Sequence, residues 1–118
     1  MSTARSKKAK AADRPGPAPE QLDVAVDLFG LLADSTRLAM LWALASGDYD
    51  VSSLAQIAGS SKTSTSQHLA KLRLAGVVSA RKEGRRVIYR IENSHIRQLV
   101  LEGLLHADHR VSGLPPHR

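Results

Sequence analysis

Four of the five histidines in this 118-residue chain, His95, His106, His109 and His117, lie in its last 24 residues. Imidazole nitrogens ligate first-row divalent cations, and with no cysteine present a metal site has only His, carboxylate and water to draw on. The stretch HIRQLVLEGLLHADHR, from His95 to Arg110, reads as one helix. At about 1.5 Å of rise per residue, His95 and His106 stand about 16 Å apart on nearly the same face, too far to share an ion. His106 and His109 are neighbours on one turn and can chelate together. If the helix packs antiparallel on its twin, crossing near Leu101 and Glu102, His95 of one protomer faces His106 and His109 of the other. The residues between, Ile96, Leu99, Val100, Gly103 and Leu104, are apolar or small, as a helix seam needs. The spacing therefore predicts two symmetry-related sites that bridge protomers. The same histidines also suit a solvated surface, or a dimer seam without metal.

The elements that must position them are mainly helical. Only one Phe, one Trp and two Tyr are present, so Leu, Val, Ile and Ala must build the core. Residues 1–19, with Lys7, Lys8, Lys10 and prolines at 15, 17 and 19, read as a disordered arm, and a solvated tail is the plainer alternative to loose phosphate contact. Residues 20–110 read as one domain and 111–118 as a tail. A first helix runs from Glu20 to near Asp34, and a second, capped by Asp34 or Ser35, buries Leu38, Ala39, Leu41, Trp42 and Ala45 and closes at Gly47. A third spans Val51–Ala58 with Leu54, Ile57 and Ala58 inward, and a fourth spans Lys62–Ala75. Two strand-like runs, 77–81 and 86–91, flank a basic tip, and a last helix runs from Asn93 to about Arg110.

The fourth helix opens on KTSTSQH, without an apolar stripe. A short helix, a tight turn and a helix with a polar leading half make a helix-turn-helix, whose second helix enters the major groove. Lys62, Thr63, Ser64, Thr65, Ser66, Gln67 and His68 are the expected contacts: Gln67 for adenine, hydroxyls for phosphates or base edges, Lys62 for charge. His68 also suits a packing role. Arg81, Lys82, Arg85 and Arg86 around Gly84 complete a winged variant lying along phosphates or the minor groove. One such helix covers few base pairs, so a two-fold dimer with reading heads roughly 34 Å apart is the usual solution. The formal charge of +6 agrees with a polyanionic partner. The longest apolar run is too short for a bilayer and the start lacks a signal-peptide core, so a cytoplasmic protein without membrane partner is expected.

At LLADSTRLAMLWAL, at VSSLAQIAGSSKTSTSQHLAKLRLAGVVSARKEGRRVIYRI and in the histidine-bearing last helix, the sequence resembles the ArsR/SmtB family of winged-helix repressors. The resemblance implies the order α-α-α-α-β-β-α, a homodimer through its terminal helices, and release of operator DNA when metal binds. Zinc sensors of the family place an acidic ligand where this chain has Asn93, and a neutral amide is a poor zinc ligand. The end of the chain is more similar to the family's nickel/cobalt sensors. That likeness implies His95, Asp108, His109 and His117 as ligands, with His106 matching the zinc-type position. Five nitrogen and oxygen donors suit six-coordinate Ni2+ or Co2+ better than tetrahedral Zn2+, which stands as the alternative. An enzyme would need a general base in a cleft, and the sequence offers only Asp108 and Glu102 nearby. Neither catalysis nor a small-molecule substrate is expected. A winged-helix regulator without metal response is the remaining alternative.

Overall fold

A computed structural model describes residues 15–113. Most of the expected arm, and His117 with the end of the tail, lie outside the described residues. The described residues divide into two compact units, 15–30 and 31–113.

In the first unit, helix α1 (Pro19–Leu32, its last two residues in the second unit) starts with proline at the first helical position, where a missing N–H costs nothing. Gln21 Oε1 reaches back to accept from the Ala18 N–H at 2.9 Å. Leu22, Val24, Val26 and Phe29 stay exposed along it.

The second unit continues with α2 (Ser35–Ser46), β1 (Tyr49–Asp50), α3 (Val51–Ala58), α4 (Lys62–Leu74), β2 (Ser79–Glu83), β3 (Arg86–Arg90) and α5 (Ser94–Ser112). Local chemistry sets most boundaries. Asp34, Asp50, Ser61 and Asn93 each accept backbone N–H bonds at a helix start. Helix α3 ends at Gly59, whose φ of +64° suits glycine, with the Ser60 N–H donating to Ala55 O at 2.9 Å. That closure makes the tight turn into α4. At the wing tip Glu83 pairs with Arg86 across Gly84 and Arg85, with positive φ at Gly84 and not at Arg85, the pattern of a type II′ turn.

The strands run β1-β3-β2, all antiparallel. The hairpin starts two residues later than the periodicity suggests, because Val77 and Val78 are core residues preceding it. Strand β1 has no signature of its own: its two residues are strand only because β3 offers them a partner.

Met40, Leu41, Leu44, Leu54, Leu69, Leu72, Val77, Ile91 and Val100 form the core. Two expected core residues lie outside it: Trp42 is 54% exposed and Ile57 42%. Helix α2 is covered on most sides and presents one narrow sector to solvent, where Ser35, Trp42 and Ser46 recur at helical spacing. Helix α5 is tied to the end of α2 by Arg97, whose Nε donates to Ala45 O at 3.2 Å and whose Nη2 donates to Ile91 O.

Thr65 corrects two expectations, that the polar leading half of α4 takes no part in the core and that this residue contacts DNA. It is 0% exposed, in line with Leu69 and Leu72 at steps of four and three, and its Oγ1 has no hydrogen-bond partner among the described residues. A buried hydroxyl left unpaired loses its hydration without return. Thr65→Val keeps the shape and removes the polar atom, so thermal unfolding of this variant is expected to shift upward, by about 1 kcal/mol in stability.

Among the described residues no helix is long and apolar enough to cross a membrane.

Candidate nucleic-acid interface and histidine helix

Helix α4 presents Thr63, Ser66, Gln67 and Ala70 on one exposed face, with Lys62 exposed at its start and Ser64 half-buried. Hydrogen-bonding groups thus lead the helix on the side away from Leu69. Thr65 has no surface to offer a partner, and His68 is half-buried, with Nδ1 3.2 Å from Arg37 Nη1 on α2. Of the expected reading-helix contacts, these two face the fold.

The wing arginines also divide. Arg81 meets Asp48 at 2.9 Å and Glu83 at 2.8 Å, and Arg86 meets Asp50 at 2.9 Å. Lys82 and Arg85 are exposed and make no ion pair among the described residues. The charge offered at the wing is therefore narrower than its composition.

Two adjoining grooves meet at the start of α4, one running along α3 and the other reaching the wing. One is lined by Ser52, Ser53, Gln56, Ser60 and Lys62, the other by Asp50, Ser52, Lys62, Arg85 and Arg86. Ser52 and Lys62 border both. Ser52, Ser53 and Gln56 were not among the expected contacts, since nothing local in the sequence says that the start of α3 lies beside the wing.

Asp50 joins the two halves of this surface. Its Oδ1 accepts from the Ser53 N–H at 2.9 Å, capping α3, while its Oδ2 accepts from Arg86 Nε at 2.9 Å. The Ser53 backbone and hydroxyl bonds, aided by Arg86, lower its pKa from 3.8 to about 2. A carboxyl lowered in the folded state contributes stability above its ordinary pKa and loses that contribution as pH falls towards the folded value. Asp50→Asn, which still caps, is expected to flatten the fall in melting temperature between about pH 4 and pH 2, followed by circular dichroism.

On α5, His95, His106 and Asp108 are exposed and His109 is half-buried. With about 100° per residue, His95, His106 and His109 fall within about 60° of one another, opposite the buried Val100, whereas Asp108 turns about 100° from His109. Val100 belongs to the chain's own core, so it leaves the expected seam, and Leu101 and Leu105 are the exposed leucines on the helix. Asn93, at the position of the zinc sensors' acidic ligand, caps α5: its Oδ1 accepts from the His95 N–H at 2.8 Å and the Ile96 N–H at 3.3 Å. Among the described residues no three His, Asp or Glu side chains converge within one chain as a metal site.

Residues 34–80, from the cap of α2 to the start of β2, match the family model described as bacterial regulatory protein, arsR family. The transcriptional regulator KmtR of Mycobacterium tuberculosis is 44% identical over 104 residues, covering 87% of this chain and 80% of that protein. The chain belongs to the ArsR family. It is accordingly a DNA-binding transcription regulator with a winged helix-turn-helix, and not an enzyme. Another similar ArsR-family relative is the repressor SmtB of M. tuberculosis, 35% identical over 94 residues, or 79% of this chain and 70% of SmtB. Among solved structures, the homodimeric winged helix-turn-helix DNA-binding domain of Mb0332 from Mycobacterium bovis superposes with a TM-score of 0.72 at 30% identity, covering 89% of this chain and all of that one.

Proposed function

We propose that this ArsR-family regulator is a cytoplasmic homodimeric repressor that leaves its operator when Ni2+ or Co2+ occupies sites shared between two α5 helices. The carrying observation is that His95 and the His106/His109 pair share one face of α5, about 16 Å apart, opposite a Val100 already used by the fold. Such donors serve one ion only if a second copy supplies the other half. Leu101 and Leu105, left exposed on α5, belong to the surface that copy would cover.

In the dimer, Thr63, Ser66 and Gln67 read base edges, Lys62 meets a phosphate at the start of α4, and Lys82 and Arg85 hold the backbone from the wing. His95, His106 and His109 hold the ion, with His117 and Asp108 completing the set implied by likeness to nickel/cobalt sensors. The bound ion supplies a cross-link between protomers, and it favours release only by as much as its affinity differs between the free and DNA-bound arrangements, typically about 1–3 kcal/mol. All these donors are nitrogen or oxygen, which fits Ni2+ and Co2+; Zn2+ is the second reading, supported by His106 at the position that matches the family's zinc sensors.

The test is selection of bound duplexes from a random-sequence library, followed by gel shifts of the selected duplex with Ni2+, Co2+ and Zn2+ in turn. Release by Ni2+ or Co2+ at lower free concentration than by Zn2+ is the expected result. No release by any of them would leave a winged-helix regulator without metal response.

A further inference from the structure

Arg37 of α2 and His68 of α4 take no part in the contacts proposed above, yet they tie the reading helix α4 to α2, a helix outside the α3–α4 pair, across thirty-one positions of the chain. A guanidinium only donates, so His68 Nδ1 must carry the lone pair and the ring proton must sit on Nε2. Arg37 is itself held: its Nε donates to Leu31 O at 2.7 Å, and its backbone N–H donates to the Asp34 carboxylate at 2.9 Å. The neighbouring anchors of α4 are Leu69, Leu72 and the unpartnered Thr65. Their burial holds the helix down without directional preference. A hydrogen bond from a fixed guanidinium does have direction, and His68 is one residue from Gln67.

We propose that the Arg37–His68 bridge is a positioning contact that sets the roll of the recognition helix, and that it holds only while His68 is neutral. The inference rests on the DNA-binding reading of α4. Protonation would place a proton on the accepting Nδ1 and a second positive charge against Arg37. The charged groups shown to face His68 both come from the start of α2: Arg37 repels the imidazolium, and Asp34 offsets part of that repulsion.

The selected duplex is titrated with the full-length wild type, His68→Leu and His68→Asn by fluorescence anisotropy, from about pH 8 to about pH 5.5, where histidines change charge. Asparagine presents Oδ1 near the place of Nδ1 and does not titrate. At neutral pH the Leu variant is expected to bind about tenfold more weakly and the Asn variant to bind like wild type. On acidification the wild type loses more affinity than the Asn variant, which keeps every other histidine. Parallel pH curves for wild type and His68→Asn overturn the proposal, and this comparison stands even if the Leu variant fails to fold. Should the wild type bind no duplex at any pH, the DNA reading itself fails, and the bridge is judged on the free protein. There the ring 15N shifts of His68 must show an unprotonated Nδ1 that responds to Arg37→Lys; a protonated Nδ1 at neutral pH overturns the bridge.

Discussion

A dimer mixed from His95→Ala and His106→Ala/His109→Ala protomers is expected to bind metal although neither parent homodimer does. Each homodimer lacks one half of both sites. In the mixed dimer one site has lost both halves, but the other keeps His95 from one protomer and His106 with His109 from its partner. Removing the supporting neighbours of a metal ligand alone costs about 10- to 100-fold in affinity, so loss of direct ligands should cost at least about 100-fold in each parent. Purification through two different affinity tags, then titration with Ni2+ and Co2+, should return half the wild-type stoichiometry at near wild-type affinity. Retained tight binding by either homodimer, or none by the mixed dimer, would show that the histidines do not form bridging sites.

The second large effect concerns which cations meet DNA. Among the described residues Lys62, Lys82 and Arg85 are exposed without an ion pair, whereas Arg81 and Arg86 are each committed to carboxylates. Each phosphate neutralised adds about 0.9 to the slope of log affinity against log salt. Replacing all three free cations by alanine should therefore lower that slope by about 5 for a dimer and weaken binding by orders of magnitude at physiological salt. Removing the Asp50–Arg86 pair without changing net charge, as Asp50→Asn with Arg86→Gln, should leave the slope within about 1 of wild type. Asp50→Asn keeps the cap of α3, and Lys62, Lys82 and Arg85 are exposed side chains, so both variants should fold. A slope loss of about 2 in the pair variant would mean that Arg86 leaves Asp50 for a phosphate in each protomer.

Of the seven residues expected to meet DNA from the start of α4, Thr65 and His68 face the fold. Thr65 shows why. Composition marks a segment as polar, but a helix has several faces, and the face at steps of four and three from Leu69 and Leu72 goes inward whatever occupies it. The same reason put Trp42 on the surface: neighbours cover the other sides of α2, and the local pattern does not name them.

What the sequence by itself determined was local or metric. Caps at Asp34, Asp50, Ser61 and Asn93, the stop at Gly59 and the turn at Gly84 are decided within a few residues, so the order of the helices and the wing hairpin could be read directly, though not β1. The eleven-residue interval between His95 and His106 likewise follows from the rise of a helix. Only the tertiary structure decided the pairings. Arg37 with His68, Arg81 with Asp48 and Arg86 with Asp50 join residues more than thirty positions apart. A side chain's charge is written in the sequence, but whether that charge is spent on the fold or left for DNA depends on which distant group the packing brings within about 3 Å.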